Sequence, residues 1–184
     1  MPSLHPITFD TSYGWIAVVL DGSTIRRIAL GHPTESAARR AVRDEIAAVA
    51  THGTGRTAGK AQNASDTRLG DSLAARIRAY CEGIHDDFRD LAVDMAYLTP
   101  LGRQVFEQCR RIPYGRTRTY AELAAAVGRP GAARAVGNFM ASNRTPIVVP
   151  CHRVVASGGR LGGFTAPGGA ALKQRLLELE SAWP

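Results

Sequence analysis

The 184-residue sequence is short of cysteine, of aromatic side chains and, over its second half, of acidic charge. Three cysteines, Cys81, Cys109 and Cys151, form an odd set with no Cys-x-x-Cys pair, which argues against a disulfide framework and against a zinc ribbon. Cys81 and His85 have a ligand-like spacing but lack two further partners, so neither a metal nor a cofactor is expected. No apolar run approaches the ~18 residues of a membrane-spanning helix, and no basic start near Met1 leads into an apolar stretch. A cytosolic protein without membrane association is expected.

What is present is positive charge, unevenly placed. Residues 1–96 carry 11 Lys and Arg against 12 Asp and Glu, a net of −1, whereas residues 97–184 carry 12 against 4, a net of +8. The excess is almost entirely arginine, and such asymmetry fits either a polyanion partner or a basic solvated face.

Trp15 to Leu20 and Thr24 to Leu30 are β-favouring runs joined by Asp21-Gly22-Ser23, which predicts a hairpin. Thr34 is placed to cap a helix to about Val49, with a small apolar stripe through Ala37, Ala38, Ala41 and Val42. The Gly- and Thr-rich segment 51–67 reads as a loop. Leu69, Leu73, Ile77 and Tyr80 mark a second helix that Gly83 stops, and Phe88, Leu91 and Val93 suggest one more strand. This gives an α+β chain: a small α/β domain with an antiparallel sheet over 1–96, then a mainly helical domain over 97–184.

The second half opens with Thr99-Pro100, an N-cap and first-turn proline, and a helix to about Ile112. Tyr120 to Val127 and Gly131 to Ser142, split at Gly128-Arg129-Pro130, predict helix, turn, helix. Two merely packed helices would give the same pattern. The second of these helices is nearly bare, with Gly131, Ala132, Ala133, Ala135 and Gly137 around one long basic side chain, Arg134. A bare helix suits close approach either to a DNA groove, with Arg134 as a probe into the base stack, or to a neighbouring helix. The apolar run Pro146–Pro150 then leads to Cys151 and His152. A thiol acts as a nucleophile through its thiolate, and His152 and Arg153 are the local groups that could favour it. On an extended backbone adjacent side chains diverge, so a buried structural cysteine beside a satisfied histidine fits the dipeptide equally well.

The run from about Ile112 to Glu180 resembles the O6-alkylguanine-DNA alkyltransferases. The residues that carry the likeness are Ile112-Pro113-Tyr114-Gly115, Tyr120, Gly131 to Gly137, Asn143, Pro150-Cys151-His152-Arg153-Val154 and Leu176 to Glu180. The resemblance implies irreversible alkyl transfer from O6-alkylguanine in double-stranded DNA to Cys151. In that scheme His152 deprotonates the thiol through a water, Glu180 polarises His152, and Tyr120 donates to the guanine ring. It implies minor-groove, sequence-independent binding through Ala132, Ala133, Arg134 and Gly137 by a monomer, with Arg134 filling the gap left by the flipped nucleotide. Asn143 would brace the turn before the cysteine, and Asn143, Arg153, Val154, Phe164 and Thr165 would belong to the base pocket. Alternatives are a non-catalytic damage recogniser, which the cysteine disfavours, a sequence-specific regulator, and a thiol hydrolase.

Overall fold

A computed structural model describes residues 6–44, 46–47 and 64–181, and the chain divides into two compact units, 1–84 and 85–184. In the first, strands β1 (Ile7–Phe9), β2 (Trp15–Asp21) and β3 (Thr24–His32) pair antiparallel, with Thr8 opposite Ala17 and Val18 opposite Ile28. The hairpin turns at Gly22, whose φ of 57° is left-handed. The unbroken apolar run Ile16–Leu20 belongs to a centre strand covered on both faces. Ala17 and Val19 pack with Ala38 and Val42 beside helix α1 (Glu35–Ala41), and Leu20 faces helix α2 (Ala64–Cys81) near Gly70.

Thr34 caps α1 as expected, its hydroxyl accepting from the Ala37 N–H. The helix is interrupted at Val42, where the backbone leaves helical geometry with the side chain buried against the sheet, and helical backbone resumes at 43–44 and 46–47. Residues 48–49 lie outside the described residues, as does 51–63 of the expected loop. Residues 64–67 are helical, so the loop reading overran the start of α2.

The division falls between Ile84 and His85, not at 96/97. The segment after His85 is held to helix α3 (Pro100–Arg110): the Arg110 guanidinium donates to the Phe88, Arg89 and Leu91 carbonyls at 3.0, 3.2 and 2.8 Å, and Arg89 returns bonds to the Arg110 and Arg111 carbonyls. Only Ala92–Val93 of this segment is strand (β4), since Phe88 turns the chain at φ 50°. The rest of the unit comprises β5 (Arg118–Thr119), α4 (Tyr120–Ala126), α5 (Ala133–Ala141), a 3-10 turn at Cys151–Arg153, β6 (Val154–Val155) and α6 (Gly169–Leu179). Its core joins Val105, Phe106 and Cys109 of α3 to Leu123, Val136, Met140 and Cys151. β5 and β6 pair in parallel, Arg118 with Val154 and Thr119 with Val155, so the start of α4 lies beside the residues that follow Cys151. No helix among the described residues is long and apolar enough to cross a membrane.

That juxtaposition depends on a capping box. The Thr119 hydroxyl accepts from the Glu122 N–H at 3.1 Å, and Glu122 accepts from the Thr119 N–H at 2.6 Å. Thr119→Ala should lower stability by about 1 kcal/mol. Urea denaturation at neutral pH checks this, and an unchanged midpoint would show that the β5–β6 pairing alone fixes the helix start.

Candidate active site

Cys151 follows an apolar stretch that is neither strand nor helix. Ile147, buried and β-branched, sits at φ 73°, a conformation that persists only where the surroundings enforce it. Asn143 supplies much of that enforcement. Its amide oxygen accepts from the Thr145 N–H at 3.0 Å, and its amide nitrogen donates to the Val149 carbonyl at 2.8 Å and to the Cys151 Sγ at 3.0 Å. Asn143 therefore braces the turn, as expected, and also touches the sulfur, which spacing could not reveal.

Cys151, His152 and Arg153 form a 3-10 turn instead of extended backbone, and all three are buried. His152 Nε2 lies 3.0 Å from Glu180 Oε1 at the end of α6. Arg153 grips the same carboxylate through Nε and Nη2, at 2.9 and 2.8 Å, while its Nη1 donates to the Ile112 carbonyl at 2.8 Å. The Gly115 N–H donates to Glu180 Oε2, and the Tyr114 hydroxyl donates to the Leu179 carbonyl. The Ile-Pro-Tyr-Gly turn is thus the receptor for the last helix. This corrects the reading of Arg153: its side chain neither lines the base pocket nor activates the thiol, because it is committed to Glu180.

Beside the thiol is a cavity of about 680 Å³ whose lining includes Tyr120, Arg134, Gly137, Cys151, Phe164 and Thr165. Ala133 lines it too, whereas Asn143 and Val154 do not. Ala132 packs against the core, and Val154 is fully buried beneath the pocket loop. Arg134 is exposed on α5, the face opposite the buried Val136 and Met140. Tyr120 is held by the loop itself: a Cβ on Gly162, at φ 73°, would stand 2.7 Å from its hydroxyl oxygen. Sequence reasoning missed Arg160 and Met140 on the cavity wall, and above all Lys173. Lys173 is fully buried, and its Nζ donates to the Val154 carbonyl at 2.5 Å and the Gly163 carbonyl at 3.4 Å. Its place on the α6 stripe with Leu172, Leu176 and Leu177 was legible as a charge at a core position.

Burial pushes the Cys151 thiol up, and the Asn143 hydrogen bond and the Lys173 charge pull it back only in part. Burial likewise lowers His152 below its ordinary 6.5 against the opposing pull of Glu180, so the ring is neutral at neutral pH. For Glu180 burial acts upward, but the hydrogen bonds and charges of His152 and Arg153 override it and hold the carboxyl far below its ordinary value. Burial also keeps the Tyr120 phenol protonated and able to donate. Among the described residues no cluster of His, Cys, Asp or Glu is arranged to hold a metal ion.

The signs for His152 and Glu180 agree. Each binds fewer protons folded than unfolded, so stability falls as pH drops below about 6.5 through His152, and again below about 4.5 through Glu180. Glu180→Gln should cost about 3 kcal/mol at pH 7, since it strands a buried Arg153, and proportionally less in acid. Thermal melting of both proteins between pH 4 and 7.5 tests this; parallel curves would refute it.

A family model described as "6-O-methylguanine DNA methyltransferase, DNA binding domain" matches residues 100–182. The methylated-DNA–protein-cysteine methyltransferase of Mycobacterium tuberculosis is 42% identical over 107 residues, a match spanning 58% of this chain and 62% of that protein's length. That of Methanothermobacter thermautotrophicus is 40% identical over 108 residues, 59% of each chain. Among solved structures, M. tuberculosis OGT in complex with DNA superposes with a TM-score of 0.68 at 30% identity, covering 96% of this chain and 93% of that one. By matched motif and shared fold along nearly its whole length, the chain belongs to the O6-methylguanine-DNA methyltransferase family.

Proposed function

We propose that this protein reverses alkylation damage in DNA, moving the alkyl group from O6 of guanine to the Cys151 sulfur in a single, irreversible event. The observation that carries the reading is the cavity on which Cys151, Tyr120 and Arg134 converge from three separate elements. The M. tuberculosis relative solved with DNA supports the choice of partner.

In this reading the protein acts as a monomer in the cytosol and approaches the minor groove through α5. Ala133 and Gly137 let the helix axis come close, and Arg134 enters the stack where the damaged nucleotide has left it. The basic half contacts phosphates without sequence preference, which suits a search for damage at any site. The flipped base enters the cavity against Phe164 and Thr165. Its O6 substituent meets Cys151, whose proton passes to the Nδ1 edge of His152 through a water. Glu180 holds the opposite nitrogen and stabilises the imidazolium that forms. Sulfur then attacks the alkyl carbon, an S–C bond forms as the C–O6 bond breaks, and the electron pair stays with the purine while Tyr120 donates to the ring. The thioether has no leaving group that water can displace, so the molecule is consumed.

Intact mass after mixing with DNA containing O6-methylguanine should rise by one methyl group per protein, with peptide mapping placing it on Cys151 and not on Cys81 or Cys109. Multiple turnovers, or a methyl elsewhere, would overturn the reading. Arg134→Ala should slow repair in duplex by about tenfold or more, since flipping costs a few kcal/mol there, and much less in single strands. Equal losses on both substrates would remove Arg134 from base extrusion.

A further inference from the structure

Only two of the 23 basic residues in this sequence are lysines, Lys60 and Lys173. Arginine holds its proton under all ordinary conditions, whereas a buried lysine changes its charge readily. Lys173 is fully buried on α6, pointing into the core of the second unit rather than to solvent. Its Nζ is hydrogen-bonded to the Val154 and Gly163 carbonyls, at the two ends of the loop that walls the cavity, and lies 5.7 Å from the Tyr120 ring centroid. Among the described residues no carboxylate pairs with it. Glu180, about two helical turns further along α6, is engaged by His152, Arg153 and Gly115. The groups whose negative charge acts on Lys173 are the Cys151 and Cys109 thiols. Cys109 is sealed in the core and does not line the cavity, whereas Cys151 does, so Cys151 is the thiol whose anion this ammonium is placed to balance.

We propose that Lys173 is a positioning residue that serves as counter-ion to the Cys151 thiolate and, through its two carbonyl contacts, ties that charge to the geometry of the pocket loop. A buried ammonium beside two carbonyl dipoles is half of an ion pair, and its counter-charge appears when the thiol ionises. The depressed titration of Lys173, brought to about 8 chiefly by burial, is the expected signature of a cation lacking a permanent partner. His152 and Arg153 also face this region. Lys173 disfavours protonation of His152 while favouring ionisation of Cys151, so it pushes the pair toward thiolate with neutral imidazole. One consequence rests on the alkyl-transfer reading: conversion of the thiolate to a neutral thioether would strand the ammonium and weaken its hold on the Val154–Gly163 loop.

The two-lysine sequence makes the test direct. With ¹³C at the lysine ε-carbon the spectrum holds two signals, and Lys60→Arg leaves one. The Lys173 titration midpoint should rise by about one pH unit in Cys151→Asp relative to the parent, because a lasting anion then stands where the thiolate forms. An unchanged midpoint in a folded Cys151→Asp protein overturns the proposal. In the opposite direction, Lys173→Met should raise the Cys151 thiol pKa by about one unit, seen as a roughly tenfold slower reaction with iodoacetamide at pH 7 and convergence in alkali. Peptide mapping confines the readout to Cys151, and thermal melting reports folding. A folded Lys173→Met protein with the parental pH profile would also refute the assignment. Neither measurement uses DNA, so both stand apart from the repair assay.

Discussion

The Glu180 carboxylate, sealed from water at the end of α6, is the constraint on which the second unit depends. An unpaired buried carboxylate would be prohibitively costly, and this one is satisfied only when His152, Arg153 and the Gly115 N–H all converge on it. Those three donors come from two places far apart in sequence, the 3-10 turn and the Ile-Pro-Tyr-Gly turn. One charge therefore fixes the C-terminal helix, the turn after α3 and the cysteine segment together. The bond to Ile112 through Arg153 closes the loop of dependence.

The rest of the site is placed by smaller devices acting on that frame. Two residues of parallel pairing bring α4 alongside the segment after Cys151, and the Thr119–Glu122 box sets where α4 begins, so Tyr120 faces the pocket loop. Gly162 yields the space its ring occupies. Asn143 bends the chain ahead of the thiol and holds Ile147 in a conformation a β-branched residue rarely adopts. The site lies where independent local structures meet, which is why the cavity is lined from three elements and not from one loop.

Much of this was legible in the sequence where a local rule applied. Thr34 and Thr99 as caps, Gly22 and Gly83 as punctuation, and the bare face of α5 around Arg134 are decided within a few residues of themselves. What could not be read was set by partners distant in the chain. Arg153 looked like a neighbour of the thiol because it is two residues away, yet a carboxylate 27 positions later claims it. The segment 85–96 looked like the end of the first unit, yet Arg110 draws it into the second. Lys173 was visible as a lysine on an apolar stripe, but its meaning required knowing that α6 lies against Val154 and Gly163. The 3-10 turn at Cys151 was hidden because a short apolar run ending in proline has no periodicity to distinguish strand from irregular backbone.

The raised pKa of Cys151 is at first sight the wrong direction for a nucleophile. Under the proposed function, in which a single reaction consumes the protein, it is the useful direction. A thiol that ionised freely at pH 7 would react with any passing electrophile or oxidant, and each such event would destroy a molecule. Burial keeps Cys151 protonated, and the groups able to favour the thiolate, Asn143 at 3.0 Å and the Lys173 charge, do not outweigh that burial in the empty cavity. Under the proposed function the balance shifts when a base fills the cavity, because the same fixed charges and hydrogen bonds then act without competing water. Selectivity for the damaged base would then reside in when the thiol ionises as well as in what fits beside it.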